Sequence, residues 1–191
     1  MKRIILTAGL VLAAVVAVTA WQETSGKRAQ RMHDERVARG NYLVSAIGCS
    51  DCHTPKKMGP TGPEPDPARL LAGHPEGTGL PAPPAAIGPW MASATWDMTA
   101  WSGPWGTSFA ANLTSDQNTG LGIWTEEMFL NAIRQGRHMG VSRPILPPMP
   151  WQVFRNLTDE DLKAIYSYLR TVPPVHNRVP DPVEPQGEAA N

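Results

Sequence analysis

The sequence Cys49-Ser50-Asp51-Cys52-His53 constrains this chain more than any other feature. Its two cysteines are the only ones among 191 residues, so no thiol remains for a second metal site or for another disulfide. A C-x-x-C-H sequence is typical of haem attachment, in which each thiol adds across one vinyl group of the ring. The adjacent imidazole then lies under the ring and can bind the iron. The motif predicts one covalently bound haem c, held by Cys49, Cys52 and His53.

A C-x-x-C pair also occurs in thioredoxin-like proteins, where the two thiols cycle between dithiol and disulfide. In that alternative the histidine has no role. It requires a strand–helix–strand pattern around the motif. The chain instead has a helical pattern before the motif and a segment rich in Pro and Gly after it. We therefore favour haem attachment.

Residues 1–20 resemble an export signal. A short basic head, MKR, precedes residues 4–20, an uncharged and mostly apolar run that ends in the small residues VTA. This run is close to the minimum length that spans a bilayer. The leader is therefore either a cleaved signal peptide or an uncleaved membrane anchor. Both alternatives place the protein outside the cytoplasm, and we expect a periplasmic location.

The composition limits the classes of partner. The chain carries 17 Lys and Arg against 17 Asp and Glu, so its formal net charge is zero. Domains that bind nucleic acid present a basic surface, and we expect no nucleic-acid partner here. Without the leader, the chain is long enough for one domain with its own hydrophobic core.

The segment before the haem motif has the pattern of an amphipathic helix. Residues 27–47 are charged early and apolar late, and Gly48 is expected to end the helix and turn the chain into the motif. Residues at helical spacing predict the face that packs: Val37, Gly40, Val44 and Ile47.

Two later helices are predicted from their start and stop signals. The first begins at Thr125, an N-cap followed by two carboxylates, and runs to Gln135. The second begins at Thr158 and has apolar residues at helical spacing. Pro173 and Pro174 prevent its continuation.

Residues 55–106, called the insertion below, lack any helical period. They are rich in Pro and Gly. Disordered segments are poor in aromatic residues, so we interpret the insertion as an ordered but irregular excursion. It covers part of the haem, forms a partner surface, or is a surface loop with no further role. Residues 176–191 form a Pro-rich tail that we expect to be extended and partly mobile. The insertion contains four of the seven Trp residues, namely Trp90, Trp96, Trp101 and Trp105.

The sixth position of the iron decides between electron transfer and ligand binding. Met149 lies in ILPPMPW, where three prolines stiffen the chain around it. A rigid apolar loop suits a weak thioether ligand, and we predict His53 and Met149 as the axial pair. His138 and Met139 are the next candidates, and the alternative for Met149 is a gap-filling role in the core. The remaining candidates are Met58, Met91, Met98, Met128, His33, His74 and His176.

Several segments together resemble the class I c-type cytochromes. They are RGNYLVSAIG before CSDCH, then ANLTSDQNTGLGIWTEEMFLNAIRQG, PPMPW and LTDEDLKAIYSYLRTVPPV. Within that class, the chain is similar to the haem domains of cytochrome subunits that serve bacterial alcohol and gluconate dehydrogenases. Those subunits carry three such domains, whereas this chain has one motif. The resemblance covers residues 39–175, apart from the insertion, which is longer than we expect for the family.

The resemblance implies an all-α, class I cytochrome c fold over residues 27–175, interrupted by the insertion. It also implies His/Met ligation, which corresponds to His53 and Met149. Asn112 of NLT and Trp124 would lie near the haem edge, where each binds a propionate, fixes a loop, or simply packs.

The resemblance further implies that the first and last helices cross. We expect Gly40 to permit close approach there, because glycine has no side chain. Tyr166 is then expected to lie against the turn formed by residues 40–43.

These patterns predict a periplasmic electron-transfer cytochrome c that accepts electrons from a dehydrogenase and passes them to a respiratory acceptor. No further group indicates catalysis, so we expect an electron carrier, or the cytochrome subunit of an oxidoreductase complex, rather than an enzyme. A haem-based sensor with an open sixth position is the first alternative. A peroxidase-like enzyme is the second, and it needs a polar pair such as His138 with Arg134 or Arg137.

Overall fold

The computed structural model of the chain describes residues 2–84 and 91–185. The side chains of residues 1–20, on which the export-signal hypothesis depends, are not described. Trp90 of the insertion and residues 186–191 of the tail also lie outside the described part.

The chain divides into two compact units, Met1–Arg36 and Val37–Asn191. Helix α1 (Lys2–Ala46) forms the described part of the first unit and continues into the second. The helix predicted over residues 27–47 is thus confirmed, although it begins much earlier. Helix α2 (Cys49–His53) follows directly. Among the residues with described side chains, no helix has the length and apolar character needed to cross a membrane.

The second unit contains strands as well as helices, so the prediction of an all-α, class I cytochrome c fold is wrong. The insertion and the three residues after it form two antiparallel sheets. Strand β1 (Lys56–Gly59) pairs with β2 (Gly62–Pro65), while β4 (Ala100–Gly103) lies between β3 (Ser93–Ala94) and β5 (Gly106–Phe109). Strands this short, interrupted by Pro and Gly, are not long enough to display the alternating pattern by which strands are recognised.

Glycines allow the sharp reversals between these strands. Gly62, with φ 126°, follows the turn between β1 and β2. Gly106, with φ 90°, also leaves space for the C-terminal segment, since a Cβ there would lie 2.0 Å from the carbonyl oxygen of Val183. Thr107 and Val183 exchange two backbone hydrogen bonds of 2.8 and 2.9 Å. This part of the tail is therefore bound at the edge of the sheet.

The later helices start and stop as the sequence predicts. They are α3 (Glu126–Gln135) and, after the short α4 (Trp151–Phe154), α5 (Asp159–Leu169). Thr125 and Thr158 cap α3 and α5, because each hydroxyl oxygen accepts a hydrogen bond of 3.1 Å from the N–H three residues later. Short 3-10 helices occur at Pro67–Arg69 and His138–Gly140.

One hydrophobic cluster, called the helical core below, joins the helices of the second unit. Burial contributes about 1.5–3 kcal/mol for each large apolar side chain. Cys49 and Met149 pack against this cluster while remaining partly exposed. Its buried members are Leu43 and Val44 of α1, Leu71 of the insertion, Leu121, Phe129 and Ile133 in and before α3, and Leu162, Ile165, Leu169 and Val172 in and after α5.

Helices α1 and α5 cross at Gly40, as expected. A Cβ at Gly40 would lie 1.9 Å from the carbonyl oxygen of Ala164 and 2.8 Å from the Cβ of Tyr168. The side chain nearest to Gly40 is therefore that of Tyr168, while Tyr166 packs against the helical core, which includes Leu43. The hydroxyl of Tyr166 donates to the carbonyl oxygen of Trp124 at 2.6 Å.

Replacing Gly40 with alanine should destabilise the protein, because the new methyl group would collide with the backbone of α5. We expect the free energy of unfolding to fall by about 1–3 kcal/mol. Gly26 is the matched control, because it lies on the same helix and has no atom within 4 Å of an added Cβ. Gly26→Ala should raise stability by up to about 1 kcal/mol through helix propensity. Denaturant titration of the haem-loaded proteins measures the free energy of unfolding of both variants. Equal changes in Gly40→Ala and Gly26→Ala would contradict the close crossing.

Candidate haem-attachment site

The C-x-x-C-H motif folds into a single helical turn, α2. Gly48 has φ 76°, a left-handed conformation that ends α1 and redirects the chain into this turn. Cys49 and Cys52 are three positions apart and therefore share one face of the helix. Neither thiol is joined in a disulfide, and both are partly buried. The turn thus presents two thiols side by side, next to His53.

The acidity of the thiols argues against a thioredoxin-like function. Burial raises the pKa of the Cys49 thiol to about 11. Burial also raises the pKa of Cys52 above its ordinary value. Redox-active C-x-x-C pairs have lowered pKa values, because the thiolate is the reactive form. Both thiols here stay protonated at neutral pH.

The imidazole of His53 is oriented by the loop that precedes α3. Its Nδ1 lies 2.8 Å from the carbonyl oxygen of Ala111. A carbonyl only accepts, so Nδ1 carries the proton and Nε2 keeps its lone pair. Burial lowers the pKa of His53, which favours the neutral ring. A neutral imidazole held through its other nitrogen is the form in which histidine binds metals.

The backbone of His53 is held from a second direction. Its carbonyl oxygen accepts a hydrogen bond of 2.7 Å from the N–H of Gly73 in the insertion. Gly73 has φ 77°, and a Cβ there would lie 2.4 Å from the carbonyl oxygen of Ala110. Neither Gly73 nor Ala111 could be recognised in the sequence as a partner of His53. Both act through backbone atoms, which leave no side-chain signal in a sequence.

Asn112 lies next to Ala111 and is 4% exposed. Its side-chain oxygen accepts two hydrogen bonds from Thr114, and its amide nitrogen donates to Thr119, Val175 and Asn177 at 2.9–3.3 Å. This amide therefore fixes the loop that carries Ala111. A direct bond from Asn112 to a haem propionate stays a prediction.

Trp124 precedes α3 and packs against the helical core. Its ring meets that of His138 edge-on, with 5.2 Å between centroids. Its indole N–H makes no hydrogen bond to the described residues, and a propionate is a suitable acceptor for such a donor. Contact between Trp124 and the haem stays a prediction.

The loop that carries Met149 is anchored at both ends. The N–H of Ile145 donates to the carbonyl oxygen of Gly136 at 2.8 Å. Gly136 also provides space for the ring of Trp151, since a Cβ there would lie 2.2 Å from that ring. Between these points the hydroxyl of Ser108 in β5 donates to the carbonyl oxygen of Pro147 at 2.5 Å. Ser108 gives no recognisable signal in the sequence, because its partner is 39 residues away.

The alternative histidine ligands lie in different surroundings. The Nδ1 of His74 is 2.8 Å from the hydroxyl of Thr99, and its Nε2 is buried without a partner among the described residues. His176 is largely exposed and lies 3.8 Å from Asp116. A second histidine as the sixth ligand of the iron stays an alternative prediction.

The arginines required by the peroxidase alternative have other partners. Arg134 contacts the carbonyl oxygen of Arg155 and the carboxylate of Asp159. Arg137 donates to the carbonyl oxygen of Ser142 at 2.7 Å. Neither guanidinium is therefore free to act beside an iron-bound substrate without losing these bonds.

The donor set fits a covalently bound haem. Two protonated thiols share one helical turn, a neutral imidazole keeps its Nε2 lone pair, and the thioether of Met149 packs on the same cluster as Cys49. Within the described residues, no group of three or more His, Cys, Asp or Glu side chains is placed to hold another metal ion. This arrangement is similar to the haem-attachment sites of c-type cytochromes.

Comparisons with known proteins agree with this class. The chain is 30% identical to the fructose dehydrogenase cytochrome subunit of Gluconobacter japonicus over 139 residues, which is 73% of this chain. It is 30% identical to the gluconate 2-dehydrogenase cytochrome c subunit of Pantoea cypripedii over 71% of this chain. Identity to the cytochrome c subunit of the quinone alcohol dehydrogenase of Gluconobacter oxydans is 28% over 91% of this chain. No family model matches.

These similarities confirm the resemblance to dehydrogenase-associated cytochromes c. These three relatives are named as cytochrome subunits and not as catalytic subunits, which agrees with the expectation of an electron carrier. The chain spans only 22%, 23% and 29% of the lengths of these three relatives.

The buried His74 should make stability depend on pH. Burial lowers the pKa of His74, and the charge of Arg69 lowers it further. The charge of Asp97 opposes this shift. The unfolded chain therefore binds the proton first as pH falls, and the contribution of neutral His74 to stability is lost below its ordinary pKa of 6.5. We expect the melting temperature to fall between about pH 7 and pH 5.

His74→Gln should flatten this pH profile, because glutamine does not titrate. The matched control is His33→Gln, at an exposed position on α1. It should keep the wild-type slope. Identical slopes for His74→Gln and wild type would contradict a contribution from His74.

Proposed function

We propose that this chain is an exported cytochrome c that carries one electron at a time on one haem c. Cys49 and Cys52 bind the haem through thioether bonds, and His53 and Met149 are the axial ligands of the iron. The hydrogen bond between His53 and Ala111 is the observation that carries this proposal, because it keeps the proton on Nδ1 and leaves the Nε2 lone pair available for a metal.

The haem supplies the redox chemistry, and the residues of the chain supply binding, orientation and the apolar surroundings. The helical core lies against Cys49 and Met149 and would keep water away from that side of the ring. An apolar, water-poor environment and a thioether ligand both raise the reduction potential. Asn112 and Trp124 are proposed to lie at the haem edge.

The proposed donor is a dehydrogenase, by analogy with the relatives that are named as dehydrogenase subunits. A respiratory protein is the proposed acceptor. We place the chain in the periplasm, because residues 1–20 read as an export signal. An uncleaved leader would anchor it in the membrane through residues 4–20.

Expression of the full chain with a cytochrome c maturation system should give covalently bound haem. We expect one haem per chain by mass spectrometry and haem-stained colour at the position of the chain on a denaturing gel. The double variant Cys49→Ala/Cys52→Ala should show no colour. Haem that extracts from the wild-type chain into acidified organic solvent would contradict the proposal.

Met149→Ala should keep the haem attached and open the sixth position. The reduction potential should fall, because the thioether favours ferrous iron. The thioether–iron charge-transfer band should disappear, and carbon monoxide should bind readily. Met58→Ala is the matched control, since Met58 is 72% exposed, and it should resemble wild type. A normal spectrum and potential in Met149→Ala would exclude Met149 as the ligand.

A further inference from the structure

The C-terminal segment after α5 contains a buried asparagine, although the sequence predicted an extended and partly mobile tail. Asn177 is 1% exposed, which makes it one of the most buried polar residues of the described chain. An asparagine buried without hydrogen bonds would destabilise the fold. Its partners therefore indicate what it does.

The side chain of Asn177 fills a loop formed by residues 69–76. Its oxygen accepts hydrogen bonds from Nη2 of Arg69 at 3.1 Å and from the N–H of Glu76 at 2.7 Å. Its nitrogen donates to the carbonyl oxygens of Ala72 at 2.6 Å and His74 at 2.8 Å. A primary amide can make about four hydrogen bonds, and all are made here. Two donors face the oxygen and two acceptors face the nitrogen, so only one orientation of the amide fits.

The loop held by Asn177 also holds the backbone of the axial histidine. Gly73 lies in its middle and donates to the carbonyl oxygen of His53 at 2.7 Å. Two positions earlier, the N–H of Leu71 donates to the hydroxyl of Thr54 at 3.0 Å. The end of the haem motif is therefore bonded to a loop whose own shape depends on one amide.

The backbone of Asn177 is bonded to the second loop that contacts the histidine. Its carbonyl oxygen accepts from the side chain of Asn112 at 3.3 Å, and its N–H donates to the hydroxyl of Thr119 at 3.0 Å. Asn112 follows Ala111, whose carbonyl oxygen accepts from the ring of His53 at 2.8 Å. Asn177 thus connects the two loops that carry the backbone contact and the ring contact of His53.

We propose that Asn177 is a positioning residue for the axial histidine: its side chain and backbone hold the two loops that orient His53 toward the iron. This inference rests on the proposed function, since it requires His53 to ligate a haem. A ring nitrogen that donates firmly to a carbonyl makes the imidazole more basic, which favours ferric iron. Loosening the two loops should weaken this bond and raise the reduction potential.

The test is Asn177→Ser in the haem-loaded, full-length protein, a change that adds no charge near the iron. We expect a reduction potential above that of wild type. We also expect faster hydrogen exchange of the Nδ1 proton of the axial histidine, followed by NMR in the diamagnetic ferrous state. The melting temperature should fall as well, but that loss alone does not distinguish positioning from a general structural role.

Asn156→Ser is the matched control, because Asn156 is exposed and its side chain donates to the nearby carbonyl oxygen of Gln152 at 3.2 Å, with no bond to either loop among the described residues. It should keep the wild-type potential and exchange rate. An Asn177→Ser protein that melts earlier but has unchanged potential and unchanged exchange would overturn the inference.

If the Asn177→Ser protein cannot be obtained with haem, the Thr119→Val protein tests the inference instead. The same two quantities are measured, namely the reduction potential and the hydrogen exchange of the Nδ1 proton. This substitution removes the bonds of the Thr119 hydroxyl to Asn177, Asn112 and Asp116 and adds no charged group. The wild-type protein shows whether a negative result contradicts the role of Asn177 or the proposed function. Covalent haem with a histidine ligand, combined with unchanged variants, contradicts only the role of Asn177. Wild-type protein without such haem contradicts the proposed function itself.

Discussion

The hydrogen bond from Nδ1 of His53 to the carbonyl oxygen of Ala111 is the interaction on which the site depends. Helix α2 is a single turn and contains no fully buried residue, so it cannot orient itself through its own packing. Its orientation comes from groups far away in the sequence. Ala111 fixes the ring and its tautomer, and Gly73 fixes the backbone. The lone pair of Nε2 is available for a metal because the bond to Ala111 keeps the proton on Nδ1.

The insertion, together with the strand β5 that continues from its last residue, supports the site from two directions, which argues against a surface loop without a role. The first part of the insertion brings Gly73 to His53, and β5 brings Ser108 to Pro147, two positions before Met149. Residues 56–109, which make the fold mixed α/β, therefore contact the neighbourhoods of both proposed axial ligands. Its three-stranded sheet is in turn completed at one edge by Val183 of the tail.

In the second unit, apolar packing holds the helices together and polar contacts hold the loops. The helical core assembles the helices and provides the apolar surroundings of Cys49 and Met149. Buried amides organise the loops, where no regular structure pairs the backbone groups. Such amides destabilise a protein when unsatisfied and specify one loop conformation when every donor and acceptor has a partner. Asn112 and Asn177 meet this condition among the described residues.

Local signals in the sequence determined the haem motif and the ends of α3 and α5, because caps, stops and covalent spacing involve residues only a few positions apart. The sequence could not predict the two sheets, since their strands are too short for a recognisable period, nor the partners of His53, which contribute backbone atoms. It also did not identify Tyr168, whose Cβ the structure places beside Gly40 at the helix crossing. The tertiary structure decided these features and bound the tail through Asn177, because each requires segments distant in the chain to meet.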